Sequence, residues 1–378
     1  MKQLFEGSIT KVHGIRVGQA QNDAAKTGVT VVLCSHDGAV MGADVRGAAP
    51  GTRETDLCKP ENTVERVNAV VLSGGSAYGL DSASGVMRFL EEHGAGVDMG
   101  VCKVPIVPTA VLFDLKVGDA HVRPDAAMGY EACEKAGKEV RQGAFGAGTG
   151  ATVGKLIPGT VPAPSGIGTA SITLGCGVTV GAIVAVNACG DVYEANTDKV
   201  LACGHLADGK PVLCENLLYG SAPIPEMLKI GTPSGQNTTI GVVATDAVLT
   251  KAQALRMATC AHDGYARTIR PVHTQMDGDT VFALGTGRID ADVNPVQLCA
   301  AAAEVTARAV QNAIWAVQHA CSGWASTCVR WSALKRPLRP TPISFPAITR
   351  KKNRLTSRSE ARLAHRAPPP CSPPRKPC

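Results

Sequence analysis

The pair Asn237-Thr238 stands at the start of a run of small and β-branched residues in SGQNTTIGVVATDA, residues 234–247. This run predicts a buried strand that begins at Thr238. If the chain is cut before Thr238, the new α-amine, with a pKa of about 7.7 to 8.0, can take the proton of the Thr238 hydroxyl. One residue then supplies both the nucleophile and the general base. The same hydroxyl can make the cut, because its attack on the Asn237 carbonyl gives an ester that water opens.

The same residues also have a plainer interpretation. A threonine at the start of a buried strand serves as a strand former whose hydroxyl bonds the backbone. We assign that role to Thr239. Because Asn-Thr is a common dipeptide, the pair alone leaves the chemistry of Thr238 a hypothesis.

Two carboxylates, Asp277 and Asp279, stand two positions apart in MDGDT. In an extended segment their side chains share a face, where they can orient Thr238 and shift each other's pKa. The alternative is a simple Asp-Gly turn before the strand TVFAL, which these residues alone favour. His273 lies nearby, but a threonine with its own amine needs no histidine, so we expect a structural role for it.

Lys155 and Asn187 complete the set of candidate residues. Lys155 follows a glycine-rich loop, where a cation can stabilise an oxyanion or lower the pKa of the Thr238 amine. Asn187 ends the apolar run IVAVN and can donate its amide N–H to an oxyanion. The alternatives are a solvated lysine and a turn-forming asparagine.

Three better-known motifs are incomplete here. GAGTGA, residues 146–151, has the glycine spacing of a dinucleotide loop but lacks the acidic residue about 20 positions later. GAGTGATVGK departs from a phosphate loop at Thr149 and at Leu156. In SGGSAYGL the second glycine comes one place too late for a serine-hydrolase elbow.

Candidate strands and helices alternate along the chain and must position these residues. Residues 8–46 predict a strand meander, residues 67–75 a buried strand, and CGVTVGAIVAVNACGDVYEA a strand pair that turns at Cys189-Gly190. VPIVPTAVLFDL predicts an irregular buried crossing. Helices are predicted at GLDSASGVMRFLEEHG, residues 125–139, TKAQALRMATCAHDGYARTI and PVQLCAAAAEVTARAVQNAIWAVQHA. The alternation predicts an α/β body.

Composition excludes several classes of protein. The amino terminus lacks the apolar segment of a signal peptide and no apolar run approaches 18 residues, which predicts a cytoplasmic protein with no membrane partner. Aromatic residues make up only 4% of the chain, which disfavours a nucleic-acid platform. The 14 cysteines show neither C-x-x-C pairs nor histidines at zinc-finger spacing, so we expect reduced core residues and no structural metal.

The net charge of +6 conceals a division between body and tail. Residues 321–378 carry 13 of the 38 Lys and Arg but one of the 32 Asp and Glu, so the body has a net charge of −6 and the tail of +12. The tail is rich in proline and shows no hydrophobic period, which predicts disorder. A functional basic arm and an unrelated, even frame-shifted, extension both fit this composition. We therefore divide the chain into a single body, residues 1–320, and a tail.

Nearly the whole body resembles peptidase family P1, the self-processing N-terminal-nucleophile hydrolases. This family includes L-aminopeptidase/D-esterases, β-peptidyl aminopeptidases and the nylon-oligomer (6-aminohexanoate-oligomer) endo-hydrolases. The resemblance lies in RGAAPGTRETDL, LSGGSAYGLDSASGV, VPIVPTAVLFDL, GAGTGATVGK, GIGTAS, VAVNACG, QNTTI and HTQMDGDTVFAL, which occur in this order. The peptidase branches carry S-G-E or a similar sequence where this chain has Asp277-Gly278-Asp279, which places it nearer the nylon-oligomer branch.

The resemblance implies a cut at Asn237-Thr238, giving an α chain of residues 1–237 and a β chain of residues 238–320. By motif it implies that Thr238 is the nucleophile of an amide hydrolase and that the other catalytic residues are Lys155, Asn187, Asp277 and Asp279. A tyrosine used by some peptidase members has no clear counterpart; Phe113 or Leu115 stands there instead.

The resemblance also implies a four-layer αββα sandwich of the N-terminal-nucleophile type, with two mainly antiparallel sheets between helix layers. It implies association of the α and β chains into a homotetramer of pairs, and neither a metal nor an organic cofactor. The substrates that fit are short peptides, β-amino or D-configured amides and ω-amino acid oligomers. The rival interpretation is an uncut, inactive copy of the fold that binds a small ligand.

Overall fold

Strands of small and β-branched residues make up most of the described chain. The computed structural model describes residues 3–220 and 236–321. The strands are β1 (Arg16–Asn22), β2 (Thr27–Leu33), β3 (Ala39–Val45), β4 (Thr52–Arg53), β5 (Arg66–Val67), β6 (Ala69–Ser73), β7 (Val97–Asp98), β8 (Lys103–Val104), β9 (Thr109–Val111), β10 (Thr152–Val153), β11 (Ala163–Pro164), β12 (Ile167–Thr173), β13 (Thr179–Asn187), β14 (Asp191–Tyr193), β15 (Val200–Ala202), β16 (Gly204–His205), β17 (Pro211–Val212), β18 (Thr238–Ala247), β19 (Ile269–Arg270) and β20 (Thr280–Ile289).

Within the described residues, five α-helices lie between these strands or after them. They are α1 (Ser82–Glu92), α2 (Ala126–Glu134), α3 (Cys214–Leu218), α4 (Lys251–Thr268) and α5 (Pro295–Cys321). Thr250 caps α4, and its side chain and that of Gln253 bond each other's backbone N–H groups, so this helix begins at a fixed residue. None of the helices within the described residues is both long and apolar enough to cross a membrane.

Two large sheets form the framework of the described chain. The first has the strand order β1-β2-β6-β9-β4 and the second the order β12-β13-β18-β20-β3-β5. Each contains one parallel pair, β6 with β9 and β18 with β20, among antiparallel ones. Helices α1 and α2 pack on the first sheet, and α4 and α5 pack on the second. The layers are therefore helix, sheet, sheet and helix, as the family resemblance implies.

One of the two large cores lies between the two sheets. Leu72 from β6 belongs to the same buried cluster as Ile183, Ile240 and Phe282 from the second sheet, and all four are fully buried. Because side chains alternate along a strand, Ile240 and its even-numbered neighbours in β18 face this core, while Val243 faces α4 and α5. The ten residues of β18 are all buried. The first residue of this strand is thus held in the interior of the protein.

Two local expectations about strand pairing are wrong. Residues 8–46 do not form a three-stranded meander, because β1 and β2 pair in the first sheet while β3 pairs with β20 and β5 in the second. The predicted turn at Cys189-Gly190 does not join a strand pair. Both edges of β13 are taken by β12 and β18, so β14 pairs with β15 and β19 instead. Long-range pairing overrides the local turn signals in both places.

The predicted tail lies almost wholly outside the described residues. The chain divides into one unit of residues Met1–Thr341 and a second of residues Pro342–Cys378. The described residues all belong to the first unit, and helix α5 extends to Cys321. The disorder and function of the tail therefore stay predictions.

The contact between β12 and α5 gives a test of the layered packing. A Cβ added at Gly168 would lie 2.1 Å from the carbonyl oxygen of Ala309 and 2.3 Å from the backbone nitrogen of Ala313. Gly168→Ala must push the helix off the sheet, and such overpacking costs about 1–3 kcal/mol. We expect a lower midpoint of urea unfolding. The matched control is Gly175→Ala, where the added Cβ meets nothing within 4 Å. Equal midpoints for the two variants would contradict this packing.

Candidate active site

Thr238 opens strand β18 at the centre of the second sheet. It lies opposite Asn187 in the antiparallel pairing with β13 and is 3% exposed. Its Oγ1 donates a 2.5 Å hydrogen bond to the carbonyl oxygen of Asn237. The same oxygen accepts a 2.9 Å hydrogen bond from the backbone N–H of Gly278. The peptide group before Thr238 therefore has a hydroxyl beside it and a second donor on its oxygen.

Gly278 is the residue that makes this close approach possible. Asn237 and Asp277 form an isolated parallel bridge, which brings the segment after Asp277 alongside the start of β18. A Cβ at Gly278 would lie 2.9 Å from Thr238 Oγ1 and 2.5 Å from the carbonyl oxygen of Ala49. Sequence reasoning identified the two flanking aspartates but missed this glycine. The signal that could have identified Gly278 is its position between Asp277 and Asp279.

The amino group of Lys155 is enclosed by carbonyl oxygens. It donates to the backbone oxygen of Asn187 at 2.9 Å, to Asn187 Oδ1 at 2.8 Å and to the backbone oxygen of Gln236 at 3.2 Å. Burial lowers its pKa to about 7, although Asp277 and Asp279 act in the opposite direction. Three acceptors suit an ammonium, while burial favours the neutral amine. Lys155 is therefore poised between its two forms near neutral pH.

The side chain of Asn187 has a defined orientation. Its Oδ1 accepts hydrogen bonds from Lys155 and from the backbone N–H of Thr152 at 3.1 Å, and its Nδ2 donates to the carbonyl oxygen of Phe113 at 3.0 Å. Only this assignment of the amide gives every partner a complementary group. The residue thus holds Lys155 directly, a task that sequence reasoning had not given it, and keeps one amide hydrogen for another acceptor.

Asp277 and Asp279 are both buried, and each fastens a different segment. Asp277 Oδ2 accepts from the backbone N–H and the hydroxyl of Thr274, at 2.9 and 2.5 Å. Asp279 Oδ1 accepts from the backbone N–H of Thr239 at 2.7 Å, next to the candidate nucleophile. Burial, and then the nearby Asp279, raise the pKa of Asp277 to about 6. The pair of carboxylates that sequence analysis placed beside Thr238 lies there.

His273 contacts one of these carboxylates. Its Nδ1 lies 2.9 Å from Asp279 Oδ2, and its backbone N–H donates to the same oxygen at 3.0 Å. Its φ of 57° is in the left-handed region, which costs free energy for a residue other than glycine. Two hydrogen bonds to one carboxylate oxygen offset that cost. His273 thus has the structural role expected for it, and it acts by holding Asp279, a candidate catalytic residue.

A third buried carboxylate, Asp114, was missed by sequence reasoning. It accepts hydrogen bonds from the hydroxyl of Thr27 at 2.7 Å and from the backbone N–H of Gly75 at 2.8 Å. Burial raises its pKa. These bonds fix the end of the segment whose Phe113 carbonyl holds Asn187. The available signal was an acidic residue at the end of the apolar stretch VPIVPTAVLFDL.

The structure brings the six predicted site residues together at the start of β18. They are Lys155, Asn187, Asn237, Thr238, Asp277 and Asp279. Within residues 3–220 and 236–321, no group of three or more His, Cys, Asp and Glu side chains is arranged to hold a metal ion. The arrangement suits acyl chemistry at a hydroxyl, with a lysine of lowered pKa and a backbone donor on the carbonyl oxygen.

Comparisons with known proteins identify the family of the chain. The sequence profile described as Peptidase family S58 matches residues 7–324. A protein of Mycobacterium leprae described as an uncharacterized aminopeptidase is 49% identical over 307 residues, a match that covers 75% of this chain and 80% of that protein. A 6-aminohexanoate-oligomer endohydrolase of Kocuria sp. is 31% identical over 283 residues and covers 75% of this chain and 76% of that protein.

A solved structure supports the fold. The L-aminopeptidase D-Ala-esterase/amidase of Ochrobactrum anthropi has a TM-score of 0.60 and 21% identity, over 84% of this chain and 88% of that one. It is described as a new variant among the Ntn hydrolase fold. The predicted resemblance and the predicted fold class are both confirmed.

The raised pKa of Asp277 has a consequence for stability. An aspartate has a pKa of about 3.9 in the unfolded chain, whereas that of Asp277 is raised to about 6. Between these values the folded state binds more protons, so this residue makes stability fall as pH rises from about 4 to about 6. In a Thr238→Ala background, the Asp277→Asn substitution removes that contribution. We expect its urea midpoint, relative to the parent, to improve between pH 4 and pH 7.

The control for this prediction is Asp208→Asn, at an exposed turn where the carboxylate accepts from the backbone N–H of Lys210. It makes the same chemical change away from the site. If the Asp277→Asn difference from its parent is the same at pH 4 and pH 7, the proton that we assign to Asp277 is not there.

Proposed function

Because the chain belongs to peptidase family S58 and is a peptidase or amide hydrolase, we propose that it cuts itself between Asn237 and Thr238 and then uses Thr238 as its nucleophile. One observation carries the proposal. The buried hydroxyl of Thr238 contacts the carbonyl group of Asn237, and the oxygen of that group also accepts the N–H of Gly278. A nucleophile, an acyl group and an oxyanion donor are thus adjacent within one chain.

The cut proceeds by transfer of the Asn237 acyl group from nitrogen to oxygen. Thr238 Oγ1 bonds to the carbonyl carbon as its proton leaves, and the Gly278 N–H stabilises the negative charge that develops on the carbonyl oxygen. The C–N bond then breaks, and the nitrogen of Thr238 gains a proton. Water opens the resulting ester, which leaves a carboxylate on Asn237 and a free hydroxyl and amine on Thr238.

Lys155 is the group best suited to handle protons in the uncut chain. Its pKa of about 7 leaves a large share of neutral amine near physiological pH, and its bond to the Gln236 carbonyl keeps it one peptide away from the cut. After the cut, the new amine of Thr238 takes over as general base for substrates. Lys155, if charged, then favours the neutral form of that amine.

The two fragments stay together after the cut. Strand β18, the first element of the β chain, is hydrogen-bonded to β13 of the α chain on one edge and to β20 of its own chain on the other. Strand β3 of the α chain pairs in turn with β20. The two β-chain strands therefore lie side by side with α-chain strands on both sides of them in one sheet, and neither chain can leave without breaking it. Association of such pairs into a tetramer is part of the proposal.

The proposed substrates are amides whose acyl group is transferred to Thr238 and then to water. N-terminal residues of short peptides and ω-amino acid oligomers are the two classes to compare, since the relatives are named as an aminopeptidase and as an oligomer endohydrolase. Release of single amino acids supports the first class, and release of shorter oligomers supports the second.

Removing the hydroxyl tests the nucleophile. Thr238→Ala takes away the only atom that can attack Asn237 in this scheme, so we expect one uncut polypeptide and no amide hydrolysis. Thr238→Ser keeps a hydroxyl and should still be cut. Denaturing gel electrophoresis of the purified proteins reports both results. Normal fragments from Thr238→Ala would end the proposal.

Removing the amide of Asn187 tests its support of the site. Asn187→Ala releases Lys155 and deletes a candidate oxyanion donor, and loss of one such donor costs on the order of 100-fold in rate. We expect at least this loss in kcat of the mature enzyme, or of the cutting rate if the precursor accumulates.

The matched control is Asn312→Ala. Asn312 is equally buried and makes hydrogen bonds to Phe5 and Thr169. Its loss should lower the melting temperature while the folded protein keeps its rate. Similar rates for the two variants would assign Asn187 a structural role only.

A further inference from the structure

Four unpaired buried polar atoms lie near the start of β18, on the side of the strand that faces α4. They are Thr239 Oγ1, His262 Nδ1, Tyr265 OH and His273 Nε2, and none has a hydrogen-bond partner among the residues that the structure describes. A buried polar atom without a partner has lost its hydrogen bonds to water and gained none in return, so such atoms require an explanation. Four of them in one region indicate a bound molecule that is not part of the chain.

The four side chains share one region between β18 and α4. The rings of His262 and His273 are 4.7 Å apart, and that of Tyr265 lies 5.4 Å from His262 and 6.2 Å from His273. A Cβ at Gly241 would lie 2.5 Å from Tyr265 OH, and Thr239 is on the same face of the strand as Gly241. Tyr265 OH and the side chain of Thr239 therefore lie on the α4 side of the strand, where the two imidazoles also lie.

The hydrogen bonds of the two histidines fix which nitrogen of each carries the hydrogen. His262 Nε2 lies 3.0 Å from the backbone oxygen of Asp44, which can only accept, so Nε2 is the donor. Burial lowers the pKa of His262 to about 4, and Arg46 acts in the same direction, so its Nδ1 is a bare acceptor near neutral pH. His273 Nδ1 donates to Asp279, which leaves Nε2 as the acceptor in the neutral ring.

This set of groups matches one water molecule. The two imidazole nitrogens accept the two hydrogens of the water, and the hydroxyls of Thr239 and Tyr265 donate to its two lone pairs. Buried waters in proteins make about three such bonds, with a range of 2 to 4. Because the four atoms do not bond each other directly, a bridging molecule is the way to satisfy all of them at once.

We propose that Thr239, His262, Tyr265 and His273 enclose a binding site for one internal water, and that this water-linked group positions Asp279 for the cut before Thr238. The second half of this inference rests on the proposed function. The water fixes the His273 ring, His273 bonds Asp279 Oδ2, and Asp279 Oδ1 holds the N–H of Thr239. Residues on the α4 side of the second sheet thus position the nucleophile, although they do not touch the substrate.

A crystal structure of the full-length protein tests the site itself. We expect one ordered water within hydrogen-bond distance of all four atoms, and its loss in Tyr265→Phe. Direct pairing of the four atoms with each other, or a site without an ordered water in the wild-type protein, overturns the proposal. The wild-type structure alone decides whether the water is there, so this result depends neither on the folding of a variant nor on whether the chain is cut.

The rate of self-cutting tests the positioning role. In samples taken over time from a cell-free translation, we expect Tyr265→Phe and Thr239→Val to be cut about tenfold more slowly than wild type, because each leaves the water short of a donor. Thr239→Ser keeps the hydroxyl and should restore the wild-type rate. A purely structural role would change the melting temperature without this rescue.

Two matched controls remove buried hydroxyls elsewhere. Tyr193→Phe and Thr306→Val each delete a hydroxyl that is also unpaired among the described residues. Both should be cut at the wild-type rate. If all the variants are cut at that rate, the positioning role is wrong while the proposed function stands. If the wild-type chain is not cut at all, the proposed function fails, the positioning role fails with it, and the water site is judged on the crystal structure alone.

Discussion

The carbonyl oxygen of Asn237 accepts two hydrogen bonds, one from the hydroxyl of Thr238 and one from the N–H of Gly278. Strand pairing alone does not produce this pattern, because a separate segment must bring the second donor to the same oxygen. The strand start must be held rigidly, and another segment must come within van der Waals contact. The layered fold meets both conditions, with β18 paired on both edges and Gly278 lying against Thr238 Oγ1.

Burial gives the surrounding charges their properties. The pKa of Lys155 is lowered to about 7 and that of Asp277 raised to about 6, in each case chiefly because water is excluded. These shifts bring both groups into the range where protons exchange near neutral pH. They also cost stability, since each group is held away from its preferred charged form. Such a cost is typical of sites that perform chemistry and is offset by the cores on either side of the sheet.

The sequence predicts the reactive side chains of this site better than the contacts that hold them in place. Thr238, Lys155, Asn187 and the two aspartates are found together because their side chains carry the signal and because motifs of a known family lie around them. Gly278 acts through a backbone N–H, so only its position between the two aspartates marks it in the sequence. Contacts such as His273 with Asp279 depend on where the chain turns after α4, and local sequence does not encode this.

In the fold, too, features encoded by local sequence are predicted and those that depend on long-range contacts are not. The helices and the strands β6, β18 and β20 follow from apolar periodicity and glycine or proline boundaries. The partners of β3 and β14 do not, since β3 crosses to the second sheet to pair with β20, more than 200 residues later. Pairing at such distances is decided by which edges remain open once the central strands have formed.

Sequencing the amino terminus of every polypeptide in a denatured preparation of the wild-type protein tests the central claim most directly. A second terminus that reads Thr-Thr-Ile-Gly-Val, beginning at Thr238, is the predicted result. A single intact species of 39.0 kDa that hydrolyses amides, or a second terminus at any other residue, would contradict it.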